Sequence, residues 1–152
     1  MGEGPAEIWF YHLERTGLEQ VLPELLEKTL ARGWRALVRS VDADRLARLD
    51  AWLWTYREDS FLPHGLAGET APERQPILLT GGQDNTNGAQ ALFVLDEAPA
   101  DISSYARCMV VFDGHDEAAL ARARSYWKTC KTAGLNIAYW KQGESRGWER
   151  QG

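Results

Sequence analysis

Apolar positions along this chain alternate between two spacings. Unbroken short runs, EIWFYHL at 7–13, RALVRSV at 35–41, PILLT at 76–80, ALFVLD at 91–96, RCMVVFDG at 107–114 and NIAYW at 136–140, have the length and composition of buried strands. Between them, LEQVLPELLEKTLAR at 18–32, the segment 43–55 and DEAALARARSYWKTCKTAG at 116–134 carry apolar residues at helical spacing. Gly33 and Gly134 stop two of these helices, and Asp42 is placed to cap the third. Pro23 falls inside the first helix, in its first turn or two, where proline is best tolerated. PILLT and ALFVLD read as a pair of buried strands around the polar loop GGQDNTNGAQ. The order predicts an α/β fold: a single domain over residues 1–141, with a mostly parallel sheet flanked by helices on both faces. Residues 142–152 read as a polar, flexible tail.

Composition agrees with one folded unit, since 152 residues with 44% hydrophobic and 26% charged positions can bury a core without disulfides or metals. The net charge of -5 and pI near 5.2 give a mean field that repels phosphate backbones, so no direct DNA binding is expected and any link to nucleic acid is local or indirect. Cys108 and Cys130 are too few for a disulfide framework and lack zinc spacing; they read as small buried hydrophobes in a reducing compartment. The acidic start MGEGPAEIWFYHL has no basic segment ahead of a long apolar run, and no stretch approaches the roughly 20 apolar residues of a membrane helix. A cytoplasmic location is expected.

Catalytic motifs are not found. GGQDNTNGA has no lysine after Gly88 and leads into a strand, so it fails as a Gly-x4-Gly-Lys-Ser/Thr phosphate cradle, and G-x-G-x-x-G is missing. His12, His64 and His115 are far apart and sit in no HExxH or GxSxG context. Glu58 and Asp59 are adjacent in a loop, as in a solvated turn. No catalytic residue, metal site or cofactor is expected.

Two surfaces carry more than folding requires. With residues turned about 100° each, Ala119, Ala123, Tyr126 and Cys130 form the core stripe of the 116–132 helix. Leu120, Arg124, Trp127, Lys128 and Lys131 lie about a third of a turn away. Lysines and arginines toward a helix C-terminus are ordinary. An indole between Arg124 and Lys128 is less so, because an apolar wall beside cations suits a short acidic peptide ending in a hydrophobic side chain. Stacked single-stranded nucleic acid is the alternative. The second surface is AWLWTYREDSFLPHGL at 51–66. Leu46, Leu49 and Leu53 form the core stripe of the 43–55 helix, and Trp52 and Trp54 are about 200° apart on its wheel, so both cannot enter the core. Either SFLPHG folds back over the second indole, or Trp54 and Phe61 form an apolar patch for a protein contact.

The opening IWFYHL, RGWRALVRS, LDAWLW leading into SFLPHGLAGE, PILLT, the Asn-rich loop before ALFVLD, and ARARSYWKTCKTAGLNIAYW together resemble the chi subunit family of bacterial DNA polymerase III, over about residues 7–141. The resemblance implies a fold related to P-loop domains but without their phosphate loop, and a non-catalytic accessory subunit associated with the clamp loader. It implies two partners: a psi subunit, and the acidic, phenylalanine-ended C-terminal tail of single-stranded DNA-binding protein. By motif, Arg124, Trp127, Lys128 and Lys131 match the tail-binding helix. Trp54 and Phe61 match the psi-facing positions, with Pro63 and His64 in the same loop. Two readings of other classes compete: a small nucleotide- or metal-dependent enzyme, and a direct single-stranded DNA-binding module using the Trp127 helix.

Overall fold

A computed structural model of the chain describes residues 7–56, 62–67, 71–99, 101–143 and 147–151. The strands are β1 (Glu7–Leu13), β2 (Ala36–Arg39), β3 (His64–Leu66), β4 (Ile77–Thr80), β5 (Ala91–Val94), β6 (Arg107–Asp113), β7 (Asn136–Gln142) and β8 (Trp148–Arg150). The helices are α1 (Leu18–Ala31), α2 (Ala43–Thr55) and α3 (Glu117–Thr132), with a short 3-10 turn at Pro72–Arg74. The strands form one sheet in the order β3-β4-β2-β5-β6-β1-β7-β8, parallel at every pairing except β7 with β8. The architecture is the α/β class expected, with cores on both faces.

Alternation along β1 builds the two cores. Tyr11 and Leu13 point into the one closed by Leu22, Leu26, Leu46, Leu49 and Leu53 of α1 and α2. Ile8 and Phe10 point into the other, closed by Ala123 and Cys130 of α3. The inner strands β2, β4, β5 and β6 are thus buried on both faces, which is why their sequences read as nearly continuous apolar runs.

Helix boundaries follow local chemistry. Asp42 accepts from the backbone N–H of Asp44 at 3.0 Å and of Arg45 at 3.2 Å, capping α2 where expected. Gly33 ends α1 with φ of 82° and Gly134 follows α3 with φ of 74°, conformations that side chains rarely adopt. Pro23 is buried within α1 and has no N–H for the Glu19 carbonyl. The indole N–H of Trp52 donates to that carbonyl at 2.7 Å. A side chain of α2 therefore occupies the acceptor that proline leaves open, and ties the two helices together.

The structure corrects one expectation and adds three elements. β4 and β5 are not a pair: β2 lies between them and bonds to both. All three run in the same direction, so the 81–90 loop must return to the start of the sheet instead of making a tight hairpin. Asn87 fixes that return, its Nδ2 donating to Ala36 O at 3.0 Å and Gln75 O at 2.9 Å. Within the segment read as an aromatic loop, His64–Leu66 form an edge strand parallel to β4. The 3-10 turn at Pro72–Arg74 was not anticipated, and neither was β8, for which Trp148 is the anchor: its ring meets Tyr11 edge-on at 4.9 Å.

Candidate partner-binding surfaces

The first surface is built on α3 and on the strands beneath it. Asp116 caps the helix by accepting from Ala118 N at 3.0 Å and Ala119 N at 3.2 Å. Ala123 and Cys130 are buried and Ala119 and Tyr126 half-buried, as the wheel predicts. Arg124, Lys128 and Lys131 are exposed. Leu120 and Trp127, a third of a turn from the core stripe, are half-buried and pack on the second core. Trp127 stands edge-on to Phe10 and to Tyr139, each ring centre 5.5 Å away. The indole is therefore a fixed wall beside the cations.

The strands contribute residues that no helix wheel reveals. The β1–β7 register pairs Phe10 with Tyr139 and His12 with Lys141. The Tyr139 hydroxyl lies 2.7 Å from His12 Nδ1. Burial pulls the His12 pKa down; Glu14 opposes this, while Lys141 and Arg124 reinforce it. Tyr139 is pushed up by burial and pulled back by Arg124. The guanidinium of Arg124 thus acts on Tyr139, one of the two rings that wall Trp127. Lys141 Nζ lies 3.3 Å from Glu14. Backbone approach keeps His12 in place: a Cβ at Gly114 would overlap the His12 ring and press on Leu13 O at 2.9 Å. Alternation in NIAYWKQ, which puts Ile137, Tyr139 and Lys141 on one face, was the available signal for this part of the site.

The second surface lies at the end of α2. Trp52 turns toward α1, and Trp54 points away, 54% exposed, as two side chains about 200° apart must. The described part of the loop, from Leu62, does fold back, and His64 sits beneath the exposed indole with ring centres 4.4 Å apart. His64 is itself fixed. Its Nδ1 lies 2.7 Å from Leu62 O, and its Nε2 lies 3.0 Å from Asp50 O and 3.1 Å from Asp50 Oδ1. Pro63 is half-buried between them in sequence. Phe61 lies outside the described residues. Trp54 and His64 are therefore brought together, with Pro63 next to His64 in the chain and the indole resting on a ring that is itself hydrogen-bonded.

A third concavity, of about 450 Å³, opens at the C-terminal ends of β1 and β6. Their following helices leave on opposite faces of the sheet, the arrangement at which α/β sheets usually bind ligands. Here the backbone N–H groups of Glu14, Arg15 and Thr16 converge on Gln142 Oε1 at 2.8, 2.8 and 3.2 Å. Gln142 Nε2 in turn donates to Thr16 Oγ1 at 2.7 Å. The donors that could cradle a phosphate are bonded to the chain's own amide, a feature that sequence reasoning missed. His115 helps close the same loop, its Nε2 lying 2.9 Å from Glu14 O, and Asp113 accepts from its N–H at 2.9 Å.

Cys108 and Cys130 are free and buried, and burial pushes the Cys108 thiol up to about 12. Among the described residues, no group of three or more His, Cys, Asp or Glu could hold a metal ion, and no helix is long and apolar enough to cross a membrane.

Comparison with known proteins decides the family. The family model described as DNA polymerase III chi subunit, HolC, matches residues 6–138. The chain belongs to the DNA polymerase III chi subunit family. The DNA polymerase III subunit chi of Escherichia coli K12 is 29% identical over 129 residues, covering 83% of this chain and 88% of that one. The corresponding protein of Haemophilus influenzae is 24% identical over 122 residues, covering 80% and 85%. The probable subunit chi of Rickettsia prowazekii is 29% identical over 93 residues, a match that takes in 61% of this chain and just over half, 55%, of the relative. Family likeness thus takes in α3 and most of the sheet, while Tyr139, Lys141, Gln142 and β8 lie beyond the matched span.

Proposed function

We propose that this chi-family protein is a non-catalytic accessory subunit of the DNA polymerase III holoenzyme that tethers the clamp-loader assembly to single-stranded DNA-binding protein. The observation that carries this reading is the α3 face: exposed Arg124, Lys128 and Lys131 border an indole held edge-on against Phe10 and Tyr139. The cations meet the aspartates and terminal carboxylate of the acidic tail, and Trp127 with Tyr139 flanks its phenylalanine. Arg124 is suited to the carboxylate, because a planar guanidinium can grip it with two hydrogen bonds. Trp54, supported by His64, is the docking surface for a psi subunit where one is present, together with Phe61 and Pro63, which precede His64 in sequence. The site of action is the cytoplasm, where the replication machinery works.

Fluorescence polarisation with a labelled acidic peptide ending in phenylalanine tests the tail site. Arg124→Glu is expected to weaken binding at least about tenfold, equivalent to ~1.4 kcal/mol. Raising salt toward about 1 M, where screening acts within ~3 Å, should weaken the wild type as well. Unchanged affinity in Arg124→Glu would place the tail elsewhere.

A further inference from the structure

Four of the seven tryptophans lie away from both surfaces, around one open pocket on the sheet face that carries α1. The cavity measures about 390 Å³ and lies between the C-terminal half of α1 and strands β1, β6, β7 and β8. Trp9, Trp34, Trp140 and Trp148 are each half-buried and line it. Trp9 and Trp140 have ring centres 5.7 Å apart and tilted by 47°, and Trp148 meets Tyr11 edge-on at 4.9 Å. This is more flat aromatic surface than closing a core requires, left partly in solvent.

Charge in the pocket opposes the charge of the protein. Among the described residues, its lining holds Lys28, Arg32 and Arg107 and no carboxylate, in a chain whose net charge is -5. Arg107 is built into the wall, its guanidinium 3.8 Å from the Trp9 ring centre and bonded to Glu7 at 3.0 Å. Arg32 stacks over Trp34 at 4.0 Å. Lys28 in the last turn of α1 and Arg32 at its C-cap are exposed and four positions apart, so two cations stand side by side at the rim.

We infer that this pocket stacks the bases of a short segment of single-stranded DNA, with Lys28 and Arg32 meeting successive phosphates. Base stacking needs ring faces and no defined hydrogen-bond pattern, and flat indoles beside cations supply that combination. A bound peptide would in addition need partners for its backbone, whereas the lining is mostly ring and aliphatic surface. The net charge, which argued against DNA contact for the whole molecule, is outweighed locally by Lys28 and Arg32 at the rim, since Arg107 is matched by Glu7 and no other carboxylate lies in the pocket wall among the described residues. The inference is independent of the tail site, which lies on the opposite face with α3.

The test is tryptophan fluorescence and indole N–H NMR shifts during titration with oligothymidylate of about eight residues, a length within the usual single-strand footprint. The expected result is quenching, with shifts at Trp9, Trp34 and Trp148. Affinity should fall about tenfold in the Lys28→Glu/Arg32→Glu double variant and be kept in Arg124→Glu. Two phosphate contacts predict a slope of log K against log salt of about -1.4. Both substituted residues are exposed, so the double variant should fold, and an unchanged circular dichroism spectrum checks that. Any of three results overturns the inference: unaltered oligonucleotide affinity in the double variant, thymidine monophosphate binding as tightly as the oligonucleotide, or an acidic phenylalanine-ended peptide perturbing these indoles in its place.

Discussion

Pro23 and Trp52 settle one hydrogen-bond account between them. Proline leaves Glu19 O without its helical donor, and the indole N–H of Trp52 supplies another from α2 at 2.7 Å. Trp52→Phe keeps a ring but removes the donor and should cost about 1 kcal/mol, lowering Tm by roughly 2–4 °C. Pro23→Ala restores a backbone N–H able to reach Glu19 O. In that background, the same Trp52→Phe change should cost less. Equal costs in the two backgrounds, measured by urea denaturation as a double-mutant cycle, would mean that the indole contributes through its ring alone. The sequence wheel showed that Trp52 and Trp54 must diverge, yet it could not show what either meets. Those partners, Glu19 and His64, belong to other elements.

Elements differed in legibility for a physical reason. α2 was readable from end to end, because its cap and its leucine stripe are local properties. α3 was readable in extent, but not in what Trp127 meets: Phe10 and Tyr139 reach up from β1 and β7 to it. β3 and β8 are three-residue strands held by pairing with β4 and β7, with little periodicity of their own. The placement of β2 between β4 and β5 is likewise a long-range choice that no short window records. The His12–Tyr139 pair, missed for the same reason, carries a pH dependence. Burial lowers the folded pKa of His12 below its ordinary 6.5, against Glu14 and with Lys141 and Arg124. The unfolded chain therefore takes up this proton first as pH falls. His12 should contribute a loss of stability as pH drops through about 6.5, levelling off below the folded value. Urea midpoints between about pH 7.5 and 5 should show a steeper decline for wild type than for His12→Gln. Parallel curves would indicate that His12 titrates alike in both states.

For the whole molecule, the sheet sets the division of labour. α1 and α2 share one core and α3 closes the other, so the Trp54 surface and the α3 cations belong to opposite faces of the sheet. Under the proposed function, that separation lets one small domain hold two partners at once, as the proposed adaptor requires. The crevice at the ends of β1 and β6 is where this kind of sheet would hold a nucleotide, and Gln142 bonds the three N–H groups there. The missing phosphate-loop motif was legible in the sequence; the glutamine from β7 was not, because it reaches the loop from 126 to 128 positions away.

Capture of partners from the native lysate tests this two-surface account most directly, comparing wild type with Arg124→Glu and Trp54→Ala. Wild type should retain both single-stranded DNA-binding protein and clamp-loader subunits. Arg124→Glu should lose the former and keep the latter, and Trp54→Ala the reverse. Loss of both partners from either folded variant, or of neither, would contradict two separate docking surfaces.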